Sequence, residues 1–325
     1  MSLKKIYTFM ALATLTVATF AQESFNPLNF VSFKKNLTYV QGEDSQTYTV
    51  ERTLNPYAIN KFETTYRLWY EIRVMAEKRG YVFQNPGQPG SHGKRAVVPN
   101  AENENQPVTM INWYDAIVWC NALSEIKGKT PCYTYNGKVL KDAQDSAACD
   151  LCECNWNADG FRLPSESEWE YAARKTKKGM AKGDRISGQK NGDYEEGQRY
   201  AWISENCINT KIVGTAGLPF NPEEVSRPAT GNANEAGLYD MSGNVMEYCW
   251  DWNGDYSSEY PYGIEMGYDR ICRGGSWSPY TMFAYAGDRY GYDPNETYNY
   301  MGFRLAYSIV TTDGKNPVKN TVSAY

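Results

Sequence analysis

Gly160-Phe161-Arg162-Leu163-Pro164-Ser165-Glu166-Ser167-Glu168-Trp169-Glu170-Tyr171-Ala172-Ala173-Arg174 is the stretch whose reading decides the fold. Ser165 with Glu168 makes a capping box directly after Pro164, so a helix is predicted to lead into Trp169, Tyr171 and Ala173. Glu166, Glu168 and Glu170 suggest paired carboxylates for acid-base work. Two of the three fall in the first turn, where the helix dipole favours anions, and the structural reading is preferred.

Upstream, Asn112 caps a second helix, with Asp115 three residues on, Ile117, Cys120 and Leu123 on one stripe, and Gly128 after the last turn. Before it, Thr64 or Thr65 caps a helix carrying Leu68, Ile72 and Met75 on one face and ending at Gly80. The Pro/Gly/Asn-rich run from Asn85 to Gln106 reads as a loop. Its Gly87 to Lys94 portion mimics a phosphate loop, but the glycine spacing is wrong and Arg95 stands where Ser or Thr would hold magnesium. Residues 22–55 are weakly patterned. Beyond residue 180 only short aromatic runs appear, broken by Gly, Asn, Asp and Pro, and closing on Phe303, Leu305, Tyr307 and Ile309, which alternate like a half-buried strand. Few helices and many loops predict an α+β domain.

Composition narrows the chemistry. The chain has 325 residues, 33 Lys+Arg against 38 Asp+Glu, one His, 8 Cys and 27 Tyr. With no basic block and a net charge of −5, nucleic acid is not an expected partner. His92 alone cannot supply His-based zinc sites or a Ser-His-Asp triad.

Lys4 and Lys5 precede an apolar run from Ile6 to Phe20 that closes on Ala21, the pattern of a cleaved secretory signal over residues 1–21. Export to the cell surface, periplasm or medium is therefore expected, with no transmembrane segment in the mature chain. Export permits disulfides. Cys132, Cys149, Cys152 and Cys154 are too crowded for a four-cysteine zinc site, and one or two local disulfides are the preferred reading over free thiols or metal.

Five motifs in order carry a family resemblance: Asn112 to Ala116, Gly160 to Arg174, Gly237-Leu238-Tyr239-Asp240-Met241-Ser242-Gly243-Asn244-Val245-Met246-Glu247, Arg273-Gly274-Gly275-Ser276-Trp277 and Gly302-Phe303-Arg304-Leu305. They resemble the formylglycine-generating enzyme (sulfatase-modifying factor) domain. The resemblance implies the C-type lectin fold in its formylglycine-generating-enzyme subtype, with two main helices, small sheets and extensive loops, over about residues 55–310. Residues 22–54 would then be an N-terminal extension and 311–325 a tail. Oxidase members carry a copper-binding Cys pair between the Gly-Gly-Ser and Gly-Phe-Arg motifs. No Cys lies between Gly274 and Arg304, and one His cannot supply the ligands of the iron-dependent relatives, so no catalytic residue is assigned.

What stands in that place is a segment rich in Tyr. Between residues 278 and 300, six of 23 positions are Tyr, where the chain average gives about two, and Lys, Gln, Trp, Leu, Ile and Val are absent. Tyr with Ser, Gly, Asn and Asp is the composition of antibody-like binding loops, in which Tyr gives rigid contact area at low entropic cost. The candidate contacts are Ser278, Tyr280, Phe283, Tyr285, Asp288, Tyr290, Tyr292, Asp293, Tyr298, Asn299 and Tyr300, with Trp277 as floor. Framed as it is, the segment resembles the variable proteins of diversity-generating retroelements, a treponemal one in particular. These systems randomise template adenines and turn Asn codons into codons ending in C, a set without Lys, Glu, Gln, Met and Trp. Only Met282 and Glu296 fall outside it, where about five such residues would be expected from average composition.

The resulting expectation is an exported, non-enzymatic protein that binds a varying ligand, a protein on another cell or a host. The alternatives are an enzyme of the family with an unrecognised site and a fixed lectin or adhesin. In calcium-binding relatives the stretch matching Asp240, Gly243, Val245 and Glu247 supplies oxygens, which calcium requires. Calcium is the only cofactor the chain suggests, and a hydrogen-bonded turn without an ion is the preferred alternative.

Overall fold

A computed structural model describes residues 25–35, 37–42, 49–218, 227–256, 262–279 and 284–310, apart from the side chain of Tyr194. In chain order the elements are β1 (Phe30–Phe33), β2 (Thr38–Gln41), β3 (Val50–Thr53), β4 (Tyr57–Asn60), α1 (Tyr66–Glu77), β5 (Gln88–Pro89), β6 (Val108–Thr109) and α2 (Trp113–Ile126). There follow β7 (Tyr133–Tyr135), β8 (Lys138–Val139), α3 (Ser146–Asp150), β9 (Glu153–Cys154), β10 (Phe161–Arg162), α4 (Glu166–Arg174), β11 (Lys175–Thr176), β12 (Gly179–Met180) and α5 (Tyr194–Gly197). The chain closes with β13 (Met246–Trp252), β14 (Arg270–Arg273), β15 (Arg289–Tyr292), β16 (Met301–Gly302) and β17 (Ala306–Ser308). Two four-stranded sheets dominate, ordered β1-β4-β17-β10 and β15-β14-β13-β16.

The helices start where the caps put them. Thr65 Oγ1 accepts from Leu68 N at the head of α1. Asn112 and Asp115 form a reciprocal box on α2 at 2.9 and 3.2 Å, and Ser165 and Glu168 form another on α4 at 3.2 and 2.9 Å. Each box satisfies backbone donors that the first turn cannot pair internally. The first core lies between α1, α2 and the sheets: Trp69 stacks on Trp119 at 5.6 Å, and Phe303 meets Trp119 edge-on at 5.5 Å. A second core joins β1 to β4 with α4, Leu238 and Ile271.

Several expectations are corrected. Met75 is exposed, because Trp69 takes the inner position and turns the α1 stripe to Tyr66, Trp69, Ile72 and Ala76. The α2 stripe is too narrow a reading, since α1 and β10 enclose the helix and every residue from Trp113 to Ser124 is buried. Phe303 to Ile309 is not a half-buried strand. It is β17 plus its approach, an interior strand between β4 and β10, so Arg304 and Ser308 are buried as well. The weakly patterned 22–54 stretch contributes β1, paired along its length with β4, and β2 paired with β3. All eight cysteines are free thiols, not the expected local disulfides. The cysteine-rich loop is instead held by the β8-β7-β9 sheet and by Asp145 capping α3. The signal stretch 1–21 and the tail 311–325 lie outside the described residues.

Candidate binding face

Residues 277–300 leave β14 through Gly274 and Gly275, both at positive φ. At Gly274 a Cβ would stand 3.0 Å from the Trp169 ring, so both its backbone angle and its surroundings require glycine. The chain returns as β15, antiparallel to β14, with Arg273 opposite Arg289 and Arg270 opposite Tyr292. β15 is the outer strand of its sheet.

The framework grips this segment chiefly by its main chain. Carbonyl oxygens accept one after another: Pro294 from Trp113 N at 3.1 Å, Glu296 from the Tyr248 hydroxyl at 3.2 Å, Tyr298 from Met110 N at 3.1 Å, Asn299 from Trp277 Nε1 at 3.4 Å, and Tyr300 from Met246 N at 2.9 Å. Earlier, the Ala284 carbonyl accepts from Ser242 Oγ at 2.5 Å, and the amides of Ala286 and Gly287 donate to Arg185 and Gly183. Arg273, fully buried, donates to the carbonyls of Ala286 and Gly287 at 2.9 Å each, while its guanidinium pairs with Glu170 at 2.7 Å.

These anchors form part of a set of buried Arg–Glu pairs that link the motifs. Glu168 takes Arg162 at 2.6 and 2.8 Å, Glu166 takes Arg289 at 2.9 and 2.8 Å, and Glu247 takes Arg304 at 2.6 Å on both oxygens. Bidentate pairs of this kind fix direction as well as charge. The three α4 glutamates are therefore structural, with each partnered by an arginine.

The predicted contacts divide. Tyr280 and Phe283 lie outside the described residues. Ser278 is buried, its amide donating to Ser276 Oγ. Tyr285 packs on a satellite cluster with Ile186, Ala201 and Ile203. Tyr290 and Tyr292 share a face of β15 by the two-residue period. Tyr292, Tyr298 and Tyr300 gather into one group, with centroids 5.3, 5.0 and 6.4 Å apart, half-buried on the first core. Asp293 is exposed at its edge. Asn299 donates to Ser91 O at 3.1 Å, and Trp277 is half-buried beside His92 at 5.7 Å. Asp288 is half-buried, and burial pushes its carboxyl up to about 6.

Sequence reasoning missed two neighbours. A cleft of about 380 Å3, lined by Ser91, His92, Lys94, Asn209 and Thr210, opens beside Asn299. Tyr268 and Met266, 96% and 66% exposed, stand on the loop before β14. The hydrogen bond from Asn299 to Ser91 spans 208 positions, and no local pattern announces it.

Of the residues expected for calcium, Glu247 holds Arg304 with both oxygens and Asp240 Oδ2 accepts from Gly214 N at 2.5 Å, while Asp240 Oδ1 is buried without a hydrogen-bond partner. Among the described residues, no group of three or more His, Cys, Asp or Glu could hold a metal ion. Burial, with Asp240 and Glu247 nearby, raises Glu63 well above the usual carboxylate range, and burial pushes Asp240 up to about 6.

Burial raises all eight thiols above the ordinary cysteine value. Cys272, the nearest to the face, is enclosed with its sulfur 3.9 Å from Met301 Sδ.

Residues 26–309 match the sulfatase-modifying factor enzyme 1-like domain. Chaperone protein LppX of Paenibacillus barcinonensis is 31% identical over 232 residues, 69% of this chain and 70% of that protein. Inactive C-alpha-formylglycine-generating enzyme 2 of Mus musculus is 28% identical over 287 residues, 82% and 80% of the two chains. The solved structure of Treponema denticola variable protein 1 is 30% identical with a TM-score of 0.65, covering 86% of this chain and 95% of that one. Among the described residues no helix is long and apolar enough to cross a membrane.

Proposed function

Since the chain belongs to the sulfatase-modifying factor enzyme 1-like domain family, we propose that it is an exported, non-enzymatic binding protein whose face around residues 278–300 is diversified by a retroelement to recognise varying ligands. Its fold is the formylglycine-generating-enzyme form of the C-type lectin fold, and similarity to a treponemal variable protein supports a variable ligand-binding role. Fold alone does not decide function, so the site must carry the argument.

The observation that carries it is the main-chain grip. Framework donors hold the carbonyls of Pro294, Glu296, Tyr298, Asn299 and Tyr300, and a carbonyl is the same whatever side chain it bears. Side chains can then change without removing these main-chain contacts, Arg289 apart, whose own side chain pairs with Glu166. Tyr suits such a face, since each side chain offers roughly 150–250 Å2 of amphipathic surface.

Sequencing codons 278–300 from sibling cells tests the reading. Substitutions confined to positions of template adenine are expected. Invariant tyrosines would favour a fixed adhesin, and changes scattered evenly along the gene would overturn diversification. The rival reading, an enzyme with its site elsewhere in the fold, predicts thiol-dependent oxygen uptake after loading with copper. The lack of any Cys between Gly274 and Arg304 argues against it, and the mouse relative is named inactive.

A further inference from the structure

The stretch from Tyr262 to Tyr300 sorts its charge by depth. Its three arginines point inward: Arg270 and Arg273 are buried, and Arg289, its side chain 15% exposed, is bidentate on Glu166. Of its carboxylates, Glu265, Asp293 and Glu296 are exposed and Asp269 is half-buried, while Asp288 turns one oxygen inward. The stretch contains no Lys. Its positive charge is thus spent on the framework, and most of its negative charge faces solvent.

These outward acids sit against the tyrosine group. Asp293 follows Tyr292 and Glu296 precedes Tyr298 by two residues, in a turn closed by Glu296 N on Asp293 O at 3.1 Å. Asp269 lies against β15, where a Cβ on Gly291 would meet its own at 3.0 Å. Burial first, then Glu296 and Asp293, raise the Tyr298 hydroxyl. Tyr292 meets Tyr298 edge-on at 67°, while Tyr298 and Tyr300 stack at 24°, so the three half-buried rings form one contiguous aromatic patch. A ring face is electrostatically negative and attracts ammonium or guanidinium groups. Adjoining carboxylates add to the same preference.

We propose that this face, in the present variant, docks a polypeptide that presents lysine or arginine side chains to the group formed by Tyr292, Tyr298 and Tyr300 with Asp293 and Glu296 at its rim. The proposal rests on the binding function above and adds the chemistry of the partner. A neutral partner would leave the rim carboxylates unmatched. A second copy of this chain would meet acid with acid, which is repulsive.

Selection from a random peptide library on the full chain tests it. Bound peptides are expected to be enriched in Lys and Arg. Their affinity should fall about tenfold on Asp293→Asn with Glu296→Gln, the order for losing charge-assisted contacts. The control, Glu51→Gln with Glu71→Gln, removes exposed carboxylates on β3 and α1 and should change affinity less than about twofold. Equal losses in both variants would mean attraction to net charge alone and would overturn the proposal. Binders without Lys or Arg that are lost on Tyr298→Ala would overturn the cationic partner and leave the binding face standing. Binders indifferent to every one of these changes would overturn both.

Discussion

Arg304 shows how a single residue is committed to the framework. Its guanidinium holds both oxygens of Glu247 and reaches the carbonyls of Asn60 and Tyr239, with nothing exposed. Removing one partner of such a pair leaves a buried charge. Arg304→Ala is expected to lower unfolding free energy by about 3–5 kcal/mol, read by denaturant titration, whereas Arg304→Leu with Glu247→Leu should recover most of it. A double variant as unstable as the single would show that the pair is more than a matched charge. The partners were only half legible in the sequence. The capping boxes were plain because they span three residues. The pairing of Glu170 with Arg273 and of Glu166 with Arg289 spans 103 and 123 positions, where no local pattern operates.

At the scale of elements, β15 and the turn after it separate backbone from side chain. Tyr292, Tyr298 and Tyr300 contribute half-buried rings, while Tyr133 is fully buried, stacked on Trp250 at 5.1 Å and accepting from Leu163 N. Each of Tyr292→Ser, Tyr298→Ser and Tyr300→Ser should cost about 1 kcal/mol, against about 3–5 kcal/mol for Tyr133→Ala, as thermal or urea unfolding would show. Losses as large in the first set would mean that these rings are core. The sequence marked this segment as Tyr-rich and unlike a packed strand. It nevertheless forms one, because an edge strand needs partners on one side only, and β14 provides them. The segment's six tyrosines also read as one surface, yet Tyr285 packs elsewhere. Which side of a loop a ring takes is set by tertiary contacts such as Ile186, which residue order does not reveal.

Across the whole molecule, interior carboxyls couple folding to pH. Burial pushes Asp115 up to about 6, and burial with Glu166 nearby pushes Asp251 up to about 7, both from an ordinary 3.8. In the window between the ordinary and the raised values the folded chain binds more protons than the unfolded one. These groups' contribution is therefore present at low pH and lost as pH rises toward about 7. Asp251→Asn removes the ionisable group. Relative to the natural chain it should gain stability between about pH 4 and about pH 8, measured as a widening gap in urea midpoints. A gap that stays constant would mean that Asp251 titrates normally in the fold.

The carbonyl grip has a consequence for length. Donors from Trp113, Tyr248, Met110, Trp277 and Met246 meet the main chain at set positions between Pro294 and Tyr300. One inserted residue would shift each later carbonyl by one position along the chain, so that the donors that follow would face the wrong residue or none. One deletion would do the reverse. A surface held in this way is a row of numbered seats: its occupants can be exchanged, but seats cannot be added or removed.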